Sequence, residues 1–353
     1  MAGTTRGPLM IKEIREQPLA LNRLIDAELQ HVWKMAQGWH ESPPRFIFLA
    51  ARGTSDHAAL YAKYLFETRT GIPTGLAAPS IASIYQTKVN LAGGLVVGIS
   101  QSGEAADVIA VIENANRDGA DTLAITNVAD SPLTKMAKHT ILLHAGPERS
   151  VAATKTFTST MGALLLVAAA ISRKPELRTE LDRLPDLLAD VLENEGQIRA
   201  KVERFRYLEE CVVLGRGYNL STAYELALKM RETSYTRAQP FASPDFIHGP
   251  IAIIDAGYPV IAFANRGPSL PSVMQVIAQT QARGAEAVVI GNAPEALEVA
   301  DIAFPVNADL DVPEEISPFP AITAGQIFAY ALAVVKGLDP DKPRGLKKVT
   351  ITR

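Results

Sequence analysis

A run of strand-like and turn-like segments occurs twice at nearly constant spacing, and this constrains the fold more than any single motif. Gly53 follows the apolar run Phe46 to Ala51. Gly217 follows the run Cys211 to Leu214, an offset of 217 − 53 = 164. Ser100 ends the run that starts at Leu95 and Ala264 the run that starts at Ile261, again 164 apart. The stretch Gly119 to Asn127 resembles Gly284 to Asn292, an offset of 165. Continuous apolar runs bounded by polar turns are the pattern of strands buried on both faces of a parallel sheet. Helical patterns follow the turns, from His57 to Thr68 and on to about Arg117, and Thr122 to Thr126 and Ala287 to Ile290 add further strands. The alternation predicts an α/β protein, and the constant offset predicts two tandem copies of one fold.

Boundaries follow from the segments between these copies. Residues 1–44 form a helical N-terminal segment, with 9–38 rich in Leu, Ala, Glu and Lys and stopped by Pro43 and Pro44. Residues 45–174 make the first copy, 175–205 a Leu- and Glu-rich helical linker, 206–340 the second copy and 341–353 a tail. At 353 residues the chain has length for two such cores. Hydrophobic residues make up 47% and charged residues 21%, the balance of a soluble globular protein. A net charge of −3 argues against nucleic-acid binding, which relies on clustered Lys and Arg neutralising phosphates. With Cys211 as the one cysteine, no intrachain disulfide and no four-cysteine metal site can form. The six histidines have no paired zinc spacing, so no metal and no cofactor is expected. The apolar run Met161 to Ile171 is short of the ~20 residues that span a bilayer. No membrane partner and a cytoplasmic location are the expectations.

Ligands of open parallel sheets bind outside the C-terminal strand ends. Two such loops are rich in hydroxyls: Arg52-Gly53-Thr54-Ser55 and Ser100-Gln101-Ser102-Gly103. Short side chains and a glycine let backbone N–H groups approach an anion, and a helix start adds partial positive charge. The same hydroxyls could instead only cap helices. Neither loop is a nucleotide-hydrolysing P-loop, since no Gly-Lys-Ser/Thr follows. In the second copy, Glu225, Lys229 and Glu232 share a helix face at spacings of four and three. A solvated salt-bridge face is the ordinary reading of such a trio. The neighbours Ala223, Leu226, Ala227, Leu228 and Met230 instead make the helix largely apolar, and a desolvated carboxylate is a candidate base. His248, in Phe246-Ile247-His248-Gly249-Pro250, is placed by its turn for exposure and proton transfer.

Together these segments resemble the double SIS-domain (sugar-isomerase) family, and within it the isomerase half of glucosamine-6-phosphate synthase. The likeness covers almost the whole chain. It runs through Met10 to Pro18, the two hydroxyl loops, Val151-Ala152-Ala153-Thr154-Lys155, Glu225 to Tyr235, Phe246 to Pro250 and Pro343 to Lys348. The resemblance implies that each copy is a flavodoxin-like parallel sheet flanked by helices. It implies that Gly53, Thr54, Ser55, Ser100, Gln101, Ser102, Val151, Ala153 and Lys347 bind the sugar phosphate. Glu232 would move a proton between C1 and C2, while Glu225 and Lys229 would shape and polarise the site. His248 would help open the sugar ring from a neighbouring subunit of a homodimer, and Lys348 would meet the open-chain carbonyl.

Two positions depart from the synthase pattern. Ala105 stands where a phosphate-binding Thr is usual, and Ala153 where Ser is frequent; each loses a hydroxyl donor worth about 0.5–1.5 kcal/mol. The likeness includes no glutaminase domain and no cysteine near the start, so reactions without glutamine are expected. Arg52 to Ala58, Ala78 to Ser83 and Gly345 to Thr350 are most similar to the SIS-type glucosamine-6-phosphate deaminases. The expected reaction is release of ammonia from glucosamine 6-phosphate to give fructose 6-phosphate. Aldose–ketose isomerisation of a hexose phosphate, or deglycation of a fructosamine 6-phosphate, is the alternative on the same scaffold. A non-catalytic sugar-phosphate sensor is disfavoured by Glu232, His248 and Lys348 occurring together.

Overall fold

The computed structural model describes residues 7–348. The chain opens on α1 (Pro8–Arg15) and α2 (Gln17–Glu41). Sequence composition predicts one helix here. The two helices separate at Glu16, and Pro18, which has no N–H to donate, sits in the first turn of the second helix. Then follow β1 (Ile47–Ala50), α3 (Thr54–Thr70), β2 (Thr74–Leu76), α4 (Ser80–Ser83), β3 (Leu95–Ile99), α5 (Ala106–Arg117), β4 (Asp121–Thr126), α6 (Pro132–Met136), β5 (His139–Leu142) and α7 (Lys155–Ser172). After α8 (Pro175–Glu193) and α9 (Glu195–Val202) come β6 (Glu210–Gly215), α10 (Asn219–Ser234), β7 (Arg237–Ala242), α11 (Ser243–Ile247), β8 (Pro259–Phe263), α12 (Leu270–Gln281), β9 (Glu286–Gly291), α13 (Pro294–Val299), β10 (Ile302–Pro305) and α14 (Pro318–Val335).

The strands form two five-stranded sheets, ordered β2-β1-β3-β4-β5 and β10-β9-β8-β6-β7, with every pairing parallel. Counted from its own first strand, each sheet has the order 2-1-3-4-5. The tandem α/β reading therefore holds, down to the flavodoxin-like strand order. The order reverses between β1 and β3 in the first sheet and between β6 and β8 in the second, and such reversal points open a crevice at the strand ends. The edge strands β2, β5, β7 and β10 escape the sequence pattern, three of them because they are only three or four residues long. β7 carries Pro240, a residue that a ladder tolerates only at an edge.

The chain divides into two compact units. The first-sheet unit comprises 16–148, 155–185 and the tail from Lys347. In it, α7 is buried along nearly its whole length and packs on α2 and α3. The second-sheet unit comprises the chain up to Arg15, 149–154 and 186–346. Its central helix is α14, packed on α10 and α9. Both α7 and α14 are long and apolar enough to cross a membrane, but 89% of each apolar window is buried inside the protein, as core helices require. In the second-sheet unit Asp341 caps α1, accepting from the backbone N–H of Leu9 at 2.8 Å and of Met10 at 2.9 Å. The tail is tied there too at Arg344: Tyr235 Oη accepts from the Arg344 N–H, and the Arg344 guanidinium lies 3.9 Å from the Tyr235 ring centroid.

Candidate functional site

In the first-sheet unit the two hydroxyl loops follow β1 and β3, the strands between which the order reverses. Each leads directly into a long helix, α3 or α5. Gly53 adopts φ +55° and Gly103 φ +67°, left-handed values that glycine takes without strain. At Gly103 a side chain is also excluded by space, since a Cβ would lie 2.1 Å from Ser131 Oγ. Neither α3 nor α5 has a side-chain N-cap hydrogen bond: Gly53 and Ala105 occupy the cap positions. Capping is thus not what these hydroxyls do. Ser100 Oγ accepts from the Gly103 N–H at 3.2 Å and Ser102 Oγ from the Glu104 N–H at 3.3 Å, so each hydroxyl keeps its own proton to donate. The loops are tied together by Arg52, whose Nε lies 2.5 Å from Oδ2 of the buried Asp107 in the first turn of α5. Asp56, opening α3, has its carboxyl pushed above the usual range by desolvation, against the opposing charges of His57 and Arg52.

Lys348 belongs to the same unit. Its Nζ lies 2.7 Å from Oε2 of Glu148, whose side chain is fully enclosed. Glu148 also accepts from the Thr156 N–H at 3.1 Å and from Thr156 Oγ1 at 2.7 Å. Glu148 and Gln101 line one cavity of about 980 Å³, with Asn127 and His144. The tail lysine is therefore anchored to a wall that one of the hydroxyl loops also forms. Sequence alone does not single out Glu148 and Asp107. Their partners lie 200 and 55 positions away, and no local spacing marks them. Lys347 is exposed.

In the second-sheet unit, α10 starts after the Gly217 turn and carries the predicted trio on one face. Lys229 Nζ lies 3.3 Å from Glu225 Oε1 and 2.6 Å from Glu232 Oε2. The side chains of Glu225 and Lys229 are 0% and 1% exposed, that of Glu232 24%. This is no solvated face: the trio is a buried charge cluster with one accessible carboxylate. Burial works to lower the Lys229 pKa, but the charges of Glu225 and Glu232 outweigh it and hold the ammonium well above the ordinary lysine range. Lys229 thus stays charged and compensates two carboxylates, while Glu232 reaches solvent. His248 follows α11 and is exposed, as its turn predicts. Val151 and Ala153 lie in a short segment whose start is held by the buried Glu13, which accepts from the backbone N–H of Ser150 at 3.1 Å and also from that of Arg149.

The SIS domain profile matches this chain twice, at residues 42–170 and 209–335. The glutamine–fructose-6-phosphate aminotransferase [isomerizing] of Methanothermobacter thermautotrophicus is 36% identical over 342 residues, covering 96% of this chain and 56% of that protein. The chain thus spans a little over half the length of the curated relatives it matches. Among solved structures, a protein of Silicibacter pomeroyi DSS-3 assigned to the phosphosugar isomerases is 34% identical with a TM-score of 0.84, covering 94% of this chain and 99% of that one. The C-terminal domain of glucosamine–fructose-6-phosphate aminotransferase from Francisella tularensis is 27% identical, also with a TM-score of 0.84, over 97% of this chain and 99% of that one. Two matched segments, one on each sheet of the same strand order, mean that this chain belongs to the SIS domain family and carries the domain twice.

Proposed function

We propose that the protein is a phosphosugar isomerase of the amino-sugar class, converting glucosamine 6-phosphate and water to fructose 6-phosphate and ammonia. The observation that carries the reading is the placement of the two hydroxyl loops, each uncapped at its helix start, on either side of the first sheet's reversal point. That arrangement suits a dianion: hydroxyl donors, backbone N–H groups and two helix starts lie at the ends of adjacent strands. The names of the relatives support the substrate class, since they join fructose 6-phosphate or a phosphosugar to isomerisation.

In this proposal the phosphate is held by Gly53, Thr54, Ser55, Ser100, Gln101 and Ser102, with Val151, Ala153 and Lys347 contributing to the sugar. His248 of the partner subunit in a homodimer assists ring opening. Glu232 takes the C2 proton of the open aldose and returns it to C1, which turns the amine-bearing C2 into an imine. Water adds to the imine and ammonia leaves. Lys348 meets the carbonyl end of the open chain, and Lys229 with Glu225 keeps Glu232 in place. Binding energy from the remote phosphate is available for positioning the reacting carbons.

The test is incubation of the purified chain with glucosamine 6-phosphate, following ammonia and fructose 6-phosphate together. Equimolar release of both supports the proposal. Interconversion of hexose phosphates without ammonia replaces it with plain aldose–ketose isomerisation, and binding without turnover replaces it with a sensor.

A further inference from the structure

The second sheet repeats the reversal point of the first, yet its crevice is already filled. The loop after β6 turns at Gly217, with φ +57°, the counterpart of Gly53 in position and in backbone angle. The loop after β8 turns at Gly267, with φ +142°. Both glycines face the carboxylate of Glu314. A Cβ on Gly267 would lie 2.4 Å from Glu314 Oε2, and a Cβ on Gly217 would lie 3.4 Å from Glu314 Oε1. The Ser269 N–H, at the start of α12, points to Oε2 at 3.4 Å. Neither α10 nor α12 has a side-chain N-cap hydrogen bond. Glu314 is fixed from behind: Ser317 Oγ donates to its carbonyl at 2.8 Å and accepts from Asn219 Nδ2, on the first residue of α10, at 2.8 Å.

A second observation is that the loop after β8 holds a buried donor that the fold leaves unused. Asn265, in the loop after β8, is 5% exposed, and its Nδ2 has no hydrogen-bond partner. Buried donors are normally satisfied, so an orphaned amide in the loop that also carries Gly267 is a donor left open to an anion.

We infer that the second reversal point is an anion site filled by the chain's own Glu314 carboxylate, so that each chain takes one phosphorylated ligand rather than two. The inference rests on the proposal that the first reversal point binds phosphate. A carboxylate held between two helix starts satisfies the same dipoles a phosphate would, and its charge repels a second anion. The crevice is thereby converted from a ligand site into a clamp between the start of α10, the helix bearing Glu232, and the segment leading into α14.

Equilibrium dialysis against radiolabelled inorganic phosphate tests this with the full chain. The unaltered protein is expected to bind one phosphate per chain, and Glu314→Gln and Glu314→Ala to bind two. The added phosphate should persist when Ser100→Ala and Ser102→Ala are combined with Glu314→Gln, while the original one weakens. Glu314→Gln keeps the side chain's size, so it preserves the test if Glu314→Ala does not fold. No gain in either folded variant, or two phosphates on the unaltered chain, overturns the inference. The gain on removing the carboxylate tests the second crevice; the count in the unaltered chain separately tests the reading of the first.

Discussion

Lys229 holds its ammonium 2.6 Å from Glu232 Oε2 on a helix whose neighbouring positions are core. The pair is one side of a cluster completed by Glu225 at 3.3 Å. Removing the central cation leaves a buried carboxylate without compensation, whereas removing Glu232 leaves Lys229 paired with Glu225.

Lys229→Met is therefore expected to destabilise the protein by about 3–5 kcal/mol, the range for breaking a buried pair from one side. Urea unfolding measures it. The folded pKa of Lys229 lies above its unfolded value, so the stabilisation is fully present below the ordinary lysine pKa and is lost only as pH rises through the raised one. The difference between variant and parent should stay constant between about pH 6 and 9.

Ser102→Ala removes a hydroxyl that the structure leaves free to donate. A donor to a charged group contributes about 1.5–3 kcal/mol, so the KM for glucosamine 6-phosphate should rise roughly tenfold or more. Binding of unphosphorylated glucosamine should be unaltered. An equal loss for both sugars would place Ser102 away from the phosphate.

Gly103→Ala combines a left-handed backbone with a Cβ that would lie 2.1 Å from Ser131 Oγ. A strained φ alone costs about 1–3 kcal/mol. The variant should melt lower than the parent and lose sugar-phosphate affinity together. Gly53→Ala has open space around its Cβ and should pay only the backbone strain.

Cys211 lies in β6, fully buried, and desolvation pushes its thiol from 9.0 to about 12. The folded protein should not react with a disulfide reagent at pH 8, and unfolding in urea should release one reactive thiol. Because the folded pKa is the higher one, the neutral thiol is the form the fold favours. Stability from this group is unaffected below pH 9 and falls as pH rises above the unfolded value.

If His248 of the partner subunit completes a site with Glu232, chains carrying Glu232→Gln and chains carrying His248→Ala should complement each other. Each alone should be inactive or nearly so. Equal mixing after subunit exchange should restore about a quarter of the parent activity, since a statistical mixture regains that share of intact sites. No recovery in mixed dimers would assign both residues to one subunit.

The parts of the fold legible in the sequence are those set by local pattern. The central strands read as apolar runs because both faces of each are covered, and the repeat offset exposed the tandem copies. Edge strands such as Thr74–Leu76 and Ile302–Pro305 are too short to show a period, and their place depends on the neighbour they pair with. The same distinction holds for the candidate site. Glu225, Lys229 and Glu232 were visible because helical spacing puts them on one face. Glu148, Asp107 and Glu314 act on groups distant in the chain, and only folding reveals them. Ala105 reads in the sequence as a lost donor; in the fold it leaves the start of α5 without a side-chain cap, the condition an anion site needs. Val349 and Thr350, the end of the deaminase-like tail motif, lie outside the described residues.

Glu232 is the group proposed to carry the proton between C2 and C1 of a phosphate-anchored amino sugar. Turnover of glucosamine 6-phosphate by Glu232→Gln, measured beside its binding of the same sugar, tests it most directly. The expected result is a fall in kcat by roughly 10²–10⁴, the share general acid–base catalysis supplies. Affinity should stay within a factor of about three, the pattern of a group needed only in the transition state. A Glu232→Gln protein that binds the sugar and keeps most of its turnover would contradict it.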